Sequence, residues 1–325
     1  VRRSRKMEFS GIGKEEALRL TRIADDEVDH LLEDARRVRY QFCGVKIHMC
    51  AIINARSGKC SENCAFCAQS SWYKTGAPEY PVISAREALD KAKKMADAGV
   101  ERFSLVTSGG KLSKKEFSQI IDIVRVLRQE VPSLAICASL GSLDEDRAYA
   151  LKEAGVTTYH HNIETSEKFY PNICTTHTFS SRINTILIAQ KAGLRVCSGG
   201  ILGLGESPDD RVDMMFILRD LGVSSIPINI LSPIPGTPLQ NQPPLPKSEI
   251  MKTLGIFRLV FPNGELRLCG GRERALGALQ KRALETAVNW LMVGHYLTTK
   301  GNPLEEDLAM IREAENSFNQ MNVTL

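Results

Sequence analysis

From Val45 onward, short runs of β-branched and apolar residues alternate with longer stretches whose apolar positions recur at helical spacing. The strand-like runs are VKIHMCAII, ERFSLVTSG, LAICASL, TTYHHNI, LRVCSGGIL, SIPINIL, ELRLCGG and NWLMVG. Between them, helical patterning starts near Ser84, Ser113, Asp144, Phe179, Pro208, Lys247 and Arg272. Several of these starts carry a capping type of side chain, and SAREALDKAKKMADAG also closes on Gly99. Repeated β-α units predict a parallel sheet, and eight of them predict a closed (β/α)8 barrel of the TIM type. Helical patterning over residues 13 to 40 predicts an N-terminal helical extension over 1–40, ahead of a barrel over 41–303. Residues 304–325 are expected to add a covering helix and tail. No break in composition marks a second domain, and the proline-rich segment Pro233 to Pro246 reads as a long loop at a strand end.

The strands carry unusual residues for a core. Strand side chains alternate faces, so residues i, i+2 and i+4 share one, roughly 6–7 Å apart. That places His160, Asn162 and Glu164 together, Arg267 with Cys269, and His48 with Cys50; Cys137 and Cys197 lie on the third and fifth strand runs. A single buried cysteine is ordinarily a small hydrophobe. Inward arginine, asparagine and glutamate are different, because buried charge without a partner is costly. Polar residues converging from several strands predict an occupied barrel lumen.

Composition narrows the partners. The chain has 325 residues, 43% of them hydrophobic, and a net charge of only +4. With no basic run interleaved with aromatics, nucleic acid is not expected. No apolar stretch approaches the roughly 20 residues of a membrane span, so no membrane association is expected. The opening VRRSRKMEFS is basic without an apolar core and does not read as a secretory signal. Nine cysteines, an odd number, predict a cytoplasmic setting in which thiols hold metal.

The sharpest chemical signal is CSENCAFC, which spaces Cys60, Cys64 and Cys67 as C-x3-C-x2-C. A structural zinc site closes with four ligands, and no fourth Cys or His lies within a short loop distance of Cys67. Three such thiolates suit one face of an iron–sulfur cluster, leaving one iron of four open for chemistry. The spacing resembles that of radical S-adenosylmethionine (SAM) enzymes. Further blocks resemble the biotin synthase family over roughly residues 40 to 305. They are CSENCAFCAQSSWYKTG, YHHNIETSEKFYPNICTTHTFSSR, VCSGGILGLGES, the PIN of SIPINIL with PIPGTPL, LRLCGGRE and YLTTKGNPLEED.

The resemblance implies a barrel with a 4Fe–4S cluster on Cys60, Cys64 and Cys67, whose open iron takes SAM, and an auxiliary cluster. It implies that one electron splits SAM into methionine and a 5′-deoxyadenosyl radical. That radical would take hydrogen from dethiobiotin, and sulfur from the auxiliary cluster would close the ring. A flavodoxin- or ferredoxin-type electron donor and a homodimer are implied with it. By the same resemblance, Phe66 would lie against adenine, and Ser108 and Gly109 would hold the SAM amino end. Glu164 would take the ribose hydroxyls, Arg182 would lie near the SAM carboxylate, and Asn162 and Asn229 would read ureido or ribose groups. Arg56 stands where the family usually has lysine near the substrate carboxylate, with Thr298 and Thr299 as the hydroxyl pair closing on it. Gly199, Gly200, Gly203 and Gly205 lack a clean dinucleotide fingerprint and are expected to permit close approach of SAM.

One feature departs from the family. Its usual auxiliary 2Fe–2S cluster is held by three strand cysteines and an arginine; here Cys137, Cys197 and Arg267 match, but the remaining position is Ser104. Cys50 and Cys269 stand where serine is usual. The expected ligands are therefore drawn from Cys50, Cys137, Cys197 and Cys269, with Arg267 nearby, a set that suits a four-iron cluster with an extra sulfide. Cys43 and Cys174 are expected to be spare and buried. Two other readings stay open: a related radical SAM barrel for carbon rearrangement or hydrogenase-cofactor maturation, and a non-catalytic iron–sulfur carrier. A carrier has no use for the polar set His160, Asn162, Glu164 and Arg182.

Overall fold

The computed structural model describes residues 9–321; the basic opening run 1–8 and the last four residues lie outside them. The described residues form nine strands: β1 His48–Arg56, β2 Arg102–Thr107, β3 Ala135–Ser139, β4 Thr158–His160, β5 Arg195–Cys197, β6 Gly200–Leu202, β7 Ser225–Ile230, β8 Glu265–Leu268 and β9 Trp290–Met292. They run parallel in the order β5-β4-β3-β2-β1-β9-β8-β7-β6. A further pairing of Cys197 on β5 with Ser225 on β7 closes the ring. The run LRVCSGGIL is therefore one barrel position in two pieces, β5 and β6, and the barrel has the eight positions expected. Its break is sterically set: a Cβ on Gly199 would collide with the Pro227 carbonyl, and one on Gly200 with the Glu164 carbonyl. Barrel closure requires these two glycines, which corrects the expectation that ligand approach does.

The helices are α1 Lys14–Leu20, α2 Val28–Cys43, α3 Ala85–Asp97, α4 Lys114–Glu130, α5 Glu145–Ala154, α6 Phe179–Lys191, α7 Pro208–Asp220, α8 Lys247–Val260, α9 Arg272–Leu276, α10 Leu279–Thr286 and α11 Leu304–Met321. Ser84, Ser113, Asp144, Thr178 and Ser207 each accept a first-turn amide at the start of α3 to α7. Each such cap contributes about 1 kcal/mol. The N-terminal extension runs three residues past the expected boundary, to Cys43. Its α2 packs along α8, where Gly255 lets Leu31 and Leu32 approach. α11 packs on α10, and Asp307 ties it to Arg272 through a fully buried pair at 2.7 Å. Among the described residues no helix is long and apolar enough to cross a membrane.

The first residues of five strands close one end of the barrel. Glu265 of β8 accepts two hydrogen bonds from Arg102 of β2 and one from Arg195 of β5. Arg102 lies 4.1 Å over the Trp290 ring of β9, and His48 of β1 stacks on that ring at 4.8 Å. His48 also bonds Glu101, so it belongs to this floor and lies outside the lumen cavity. The floor seals the N-terminal ends of the strands and leaves their C-terminal ends to the loops, where barrels of this kind place their chemistry.

Candidate active site

Above the floor the third residue of seven strands lines the lumen, namely Cys50, Ser104, Cys137, His160, Pro227, Arg267 and Met292, and that of β5, Cys197, lies behind them against Arg267. Two residues further along stand Ile52, Val106, Ser139, Asn162, Asn229 and Cys269. Together with the Cys60–Cys67 loop all of these except Cys197 line one cavity of about 700 Å³. The strand period thus delivers four thiols and a guanidinium to the lumen, as the alternation predicts.

All four lumen cysteines are buried and free. Burial pushes the Cys137 thiol up to about 11 and those of Cys50 and Cys269 upward, against the pull of Arg267. Arg267 is buried as well; its own burial opposes its charge, but the surrounding thiols hold its pKa above the ordinary value. It donates to Cys197 Sγ and Ser225 Oγ, both at 3.4 Å, while its Nε has no partner among the described residues. His160 Nε2 is likewise buried and unpartnered, and burial, then Arg267 and Arg102, hold this histidine neutral at about 3. No three of the lumen thiols lie within 4.8 Å of one another, which is too wide for a single ion. Widely spaced soft ligands, a buried cation and orphaned donors fit an anionic metal–sulfide cluster.

At the mouth, Cys60, Cys64 and Cys67 face the same cavity. The residue before the triplet, Lys59, takes a positive φ of 51°, and Glu164 takes 69°. Such backbone strain in non-glycine residues is held where structure over-determines it. Glu164 follows β4, and its own amide and carbonyl are engaged by Gly199 and Ile201. Its carboxylate accepts from Asn162 at 3.3 Å and lies 3.8 Å from Arg182. Burial raises its pKa while Arg182 and Asn162 oppose this. Arg182 is oriented by Tyr170 Oη at 2.6 Å and the Asn162 carbonyl at 2.8 Å, so it is part of the site wall and not a surface ion pair. Asn229 donates to the Gly200 carbonyl and accepts from the Gly270 amide.

The cavity brings together Ser108, Gly109, Asn162, Glu164, Arg182 and Asn229 from the sequence-derived set. Four others sit differently. Arg56 turns to Glu116 at 3.1 Å and the Ser108 carbonyl at 2.7 Å, outside the cavity wall. Phe66 packs against the hydrophobic core. Thr298 is half-buried and Thr299 exposed, and Leu297 is the residue of that segment that reaches the cavity. Cys43 is half-buried, 3.2 Å from Arg258. Cys174 is not spare: it touches Cys64, with Sγ atoms 3.8 Å apart, and His177 joins them. Their shared hydrogen bond holds the Cys64 thiol up and draws that of Cys174 down.

Two family patterns cover this architecture. Residues 55–218 match the Radical SAM superfamily, and residues 227–316 match the Biotin and Thiamin Synthesis associated domain. A biotin synthase of Pelotomaculum thermopropionicum is 50% identical over 303 residues, 93% of this chain and 94% of that one. The chain belongs to the biotin synthase family. A biotin synthase of Heliobacterium modesticaldum is 45% identical and aligns over 99% of both chains. Among solved structures, methylornithine synthase superposes with a TM-score of 0.78 at 17% identity, covering 95% of this chain and 96% of the other. The FeFe-hydrogenase maturase HydG from Carboxydothermus hydrogenoformans gives 0.80 at 18%, covering 93% of this chain and 75% of that one. At such identities these two likenesses show the fold alone. The biotin synthase family and its radical SAM domain imply a 4Fe–4S cluster and SAM as cofactors.

Sequence reasoning missed Tyr170, which orients Arg182 from 12 residues ahead of it, and His177, which reaches Cys64 across 113 residues. The only signal was their place in YPNICTTH, directly ahead of α6. The Arg102–Glu265–Arg195 floor was also hidden, because its members sit on three separate strands.

Proposed function

We propose that this chain converts dethiobiotin to biotin by radical sulfur insertion, and that its auxiliary cluster is held by Cys50, Cys137, Cys197 and Cys269 beside Arg267. The observation that carries the ligand set is four buried thiols free of disulfides around the Arg267 guanidinium, Cys50, Cys137 and Cys197 in the strand layer above the floor and Cys269 one layer nearer the mouth. When bound, the mouth cluster supplies the electron that splits SAM and the lumen cluster supplies the sulfur. The chain's residues do the positioning. Glu164 and Asn162 offer acceptors and a donor to ribose, Arg182 offers a charge to a carboxylate, and Asn229 offers an amide to the substrate's ureido group. Because the lumen is closed below, a substrate seated there excludes water from both ends of the reaction path. Arg267 offsets the negative charge of several thiolates in a space that could not otherwise bear it.

The reading brings with it a flavodoxin- or ferredoxin-type electron donor, a homodimer and a reducing cytoplasmic setting. Four thiolates favour a four-iron auxiliary cluster with a sulfide to spare over the family's usual 2Fe–2S unit. The test is to count iron and sulfide per chain in anaerobic material, in the parent and in Cys50→Ala and Cys269→Ala. The expected result is loss of the lumen iron in both variants together with biotin formation. Unchanged metal and spectrum would remove those two ligands from the set. Absence of dethiobiotin-dependent 5′-deoxyadenosine in the parent would instead favour the carrier.

A further inference from the structure

Cys64 is the middle thiol of the mouth triplet, yet its sulfur faces a second pair of ligands from a distant loop. Cys64 Sγ lies 3.8 Å from Cys174 Sγ and 3.7 Å from His177 Nε2, and Cys174 Sγ lies 3.5 Å from the same nitrogen. A tetrahedral zinc ion, with bonds of about 2.3 Å to sulfur and about 2.05 Å to nitrogen, sets two sulfurs about 3.8 Å apart and sulfur and nitrogen about 3.6 Å apart. The triangle has those edges. Glu62 stands beside them: its Oε2 is 3.8 Å from His177 Nε2, buried and without a hydrogen-bond partner among the described residues, but outside the group of three mutually close ligand atoms, so it completes the site only by a side-chain shift.

The surroundings are those of a metal-binding histidine. His177 Nδ1 is 2.6 Å from Tyr170 Oη, which in turn accepts from Arg182 Nε at 2.6 Å. With the proton on Nδ1 donated to Tyr170 Oη, which can accept it alongside the Arg182 bond, Nε2 is left free to ligate. The two loops are also pinned face to face. Asn63 Oδ1 accepts from the amides of Thr175 and Thr176, and the Ala65 amide donates to the Ile173 carbonyl.

We propose that the cluster-free chain binds one thiophilic divalent cation, of the zinc or ferrous type, through Cys64, Cys174, His177 and Glu62. Cys64 cannot serve this ion and the three-thiolate cluster at once, so the two metal states exclude each other. The lumen does not compete for a single ion, since no three of its thiols lie close enough together.

Cobalt(II) is the probe, added anaerobically to the full cluster-free chain carrying Cys60→Ala and Cys67→Ala, which cannot rebuild the mouth cluster. The expected result is one equivalent of tetrahedral cobalt with thiolate charge-transfer bands, displaced by zinc. Adding Cys174→Ala or His177→Ala removes that equivalent, with circular dichroism confirming the fold. Should either variant unfold, the unaltered chain gives a second readout. One equivalent of zinc slows cluster reconstitution there, and the conservative Cys174→Ser change relieves the block. Tetrahedral cobalt that persists without Cys174 and His177, or that needs Cys60 and Cys67, overturns the proposal.

Discussion

The mouth and the lumen of the cavity both present cysteines, but they hold them in different ways. Three lumen thiols stand on strands, locked at their height by backbone pairing, Cys269 directly follows β8 with its amide bonded to the Ile228 carbonyl, and all four are buried. Mouth thiols stand on a loop, two of them half-exposed, and one is shared with a distant segment. A rigid ring suits a group that must sit at a fixed depth below the substrate. A loop suits a centre that must be loaded, admit SAM and receive electrons from outside. The difference teaches that ligand spacing in sequence and ligand geometry in space are separate clues: the loop declares itself by spacing, the lumen only by register.

The comparison breaks most sharply at the thiols themselves. Cys60→Ala, Cys64→Ala or Cys67→Ala is expected to abolish 5′-deoxyadenosine formation while lumen iron stays, as read by product chromatography and metal analysis on one sample. In the other direction, Cys137→Ala or Cys197→Ala is expected to keep SAM cleavage and lose biotin. If lumen variants lose SAM cleavage as fully as mouth variants, the two ends are not independent. A smaller effect is expected from Glu164→Gln, which keeps the shape but removes the charge facing Arg182. Hydrogen bonds to charged groups contribute about 1.5–3 kcal/mol, so KM for SAM should rise about 10- to 100-fold. A change in kcat alone would place Glu164 outside SAM binding.

The floor gives the mildest test. Burial raises the Glu265 pKa, but hydrogen bonds from Arg102 and Arg195 outweigh it and bring it down to about 2. A carboxylate depressed on folding stabilises the protein above its unfolded pKa, and that stability is lost as pH falls from about 4.5 towards 2. With partial solvent screening the effect is about 2–3 kcal/mol. Glu265→Gln should lower stability by that amount at pH 7 and flatten the acid limb of a denaturation series. An unchanged acid limb would show that the floor carries no linkage.

How much of this was written in the sequence depends on how far apart the partners lie. The eight barrel positions were legible because each strand carries its own alternation. That period put Cys50 on the face of His48 and Arg267 on the face of Cys269, while the family resemblance was needed to gather Cys50, Cys137, Cys197 and Cys269 beside Arg267. The split of the fifth position was not legible, since it arises where Gly199 meets the Pro227 carbonyl of another strand. Nor was the role of Cys174: nothing local distinguishes it from a buried cysteine, and only folding brings it to Cys64. Arg56 shows the opposite failure. Its position matched a substrate-binding pattern, but Glu116 on α4, a residue no local pattern pairs with it, takes up its guanidinium.

Anomalous iron diffraction from anaerobically grown crystals addresses the lumen directly. Two separate iron centres are expected, one at Cys60, Cys64 and Cys67 and one ringed by Cys50, Cys137, Cys197 and Cys269 near Arg267. Iron at the mouth alone, in material that still makes biotin, would contradict the four-thiolate lumen site.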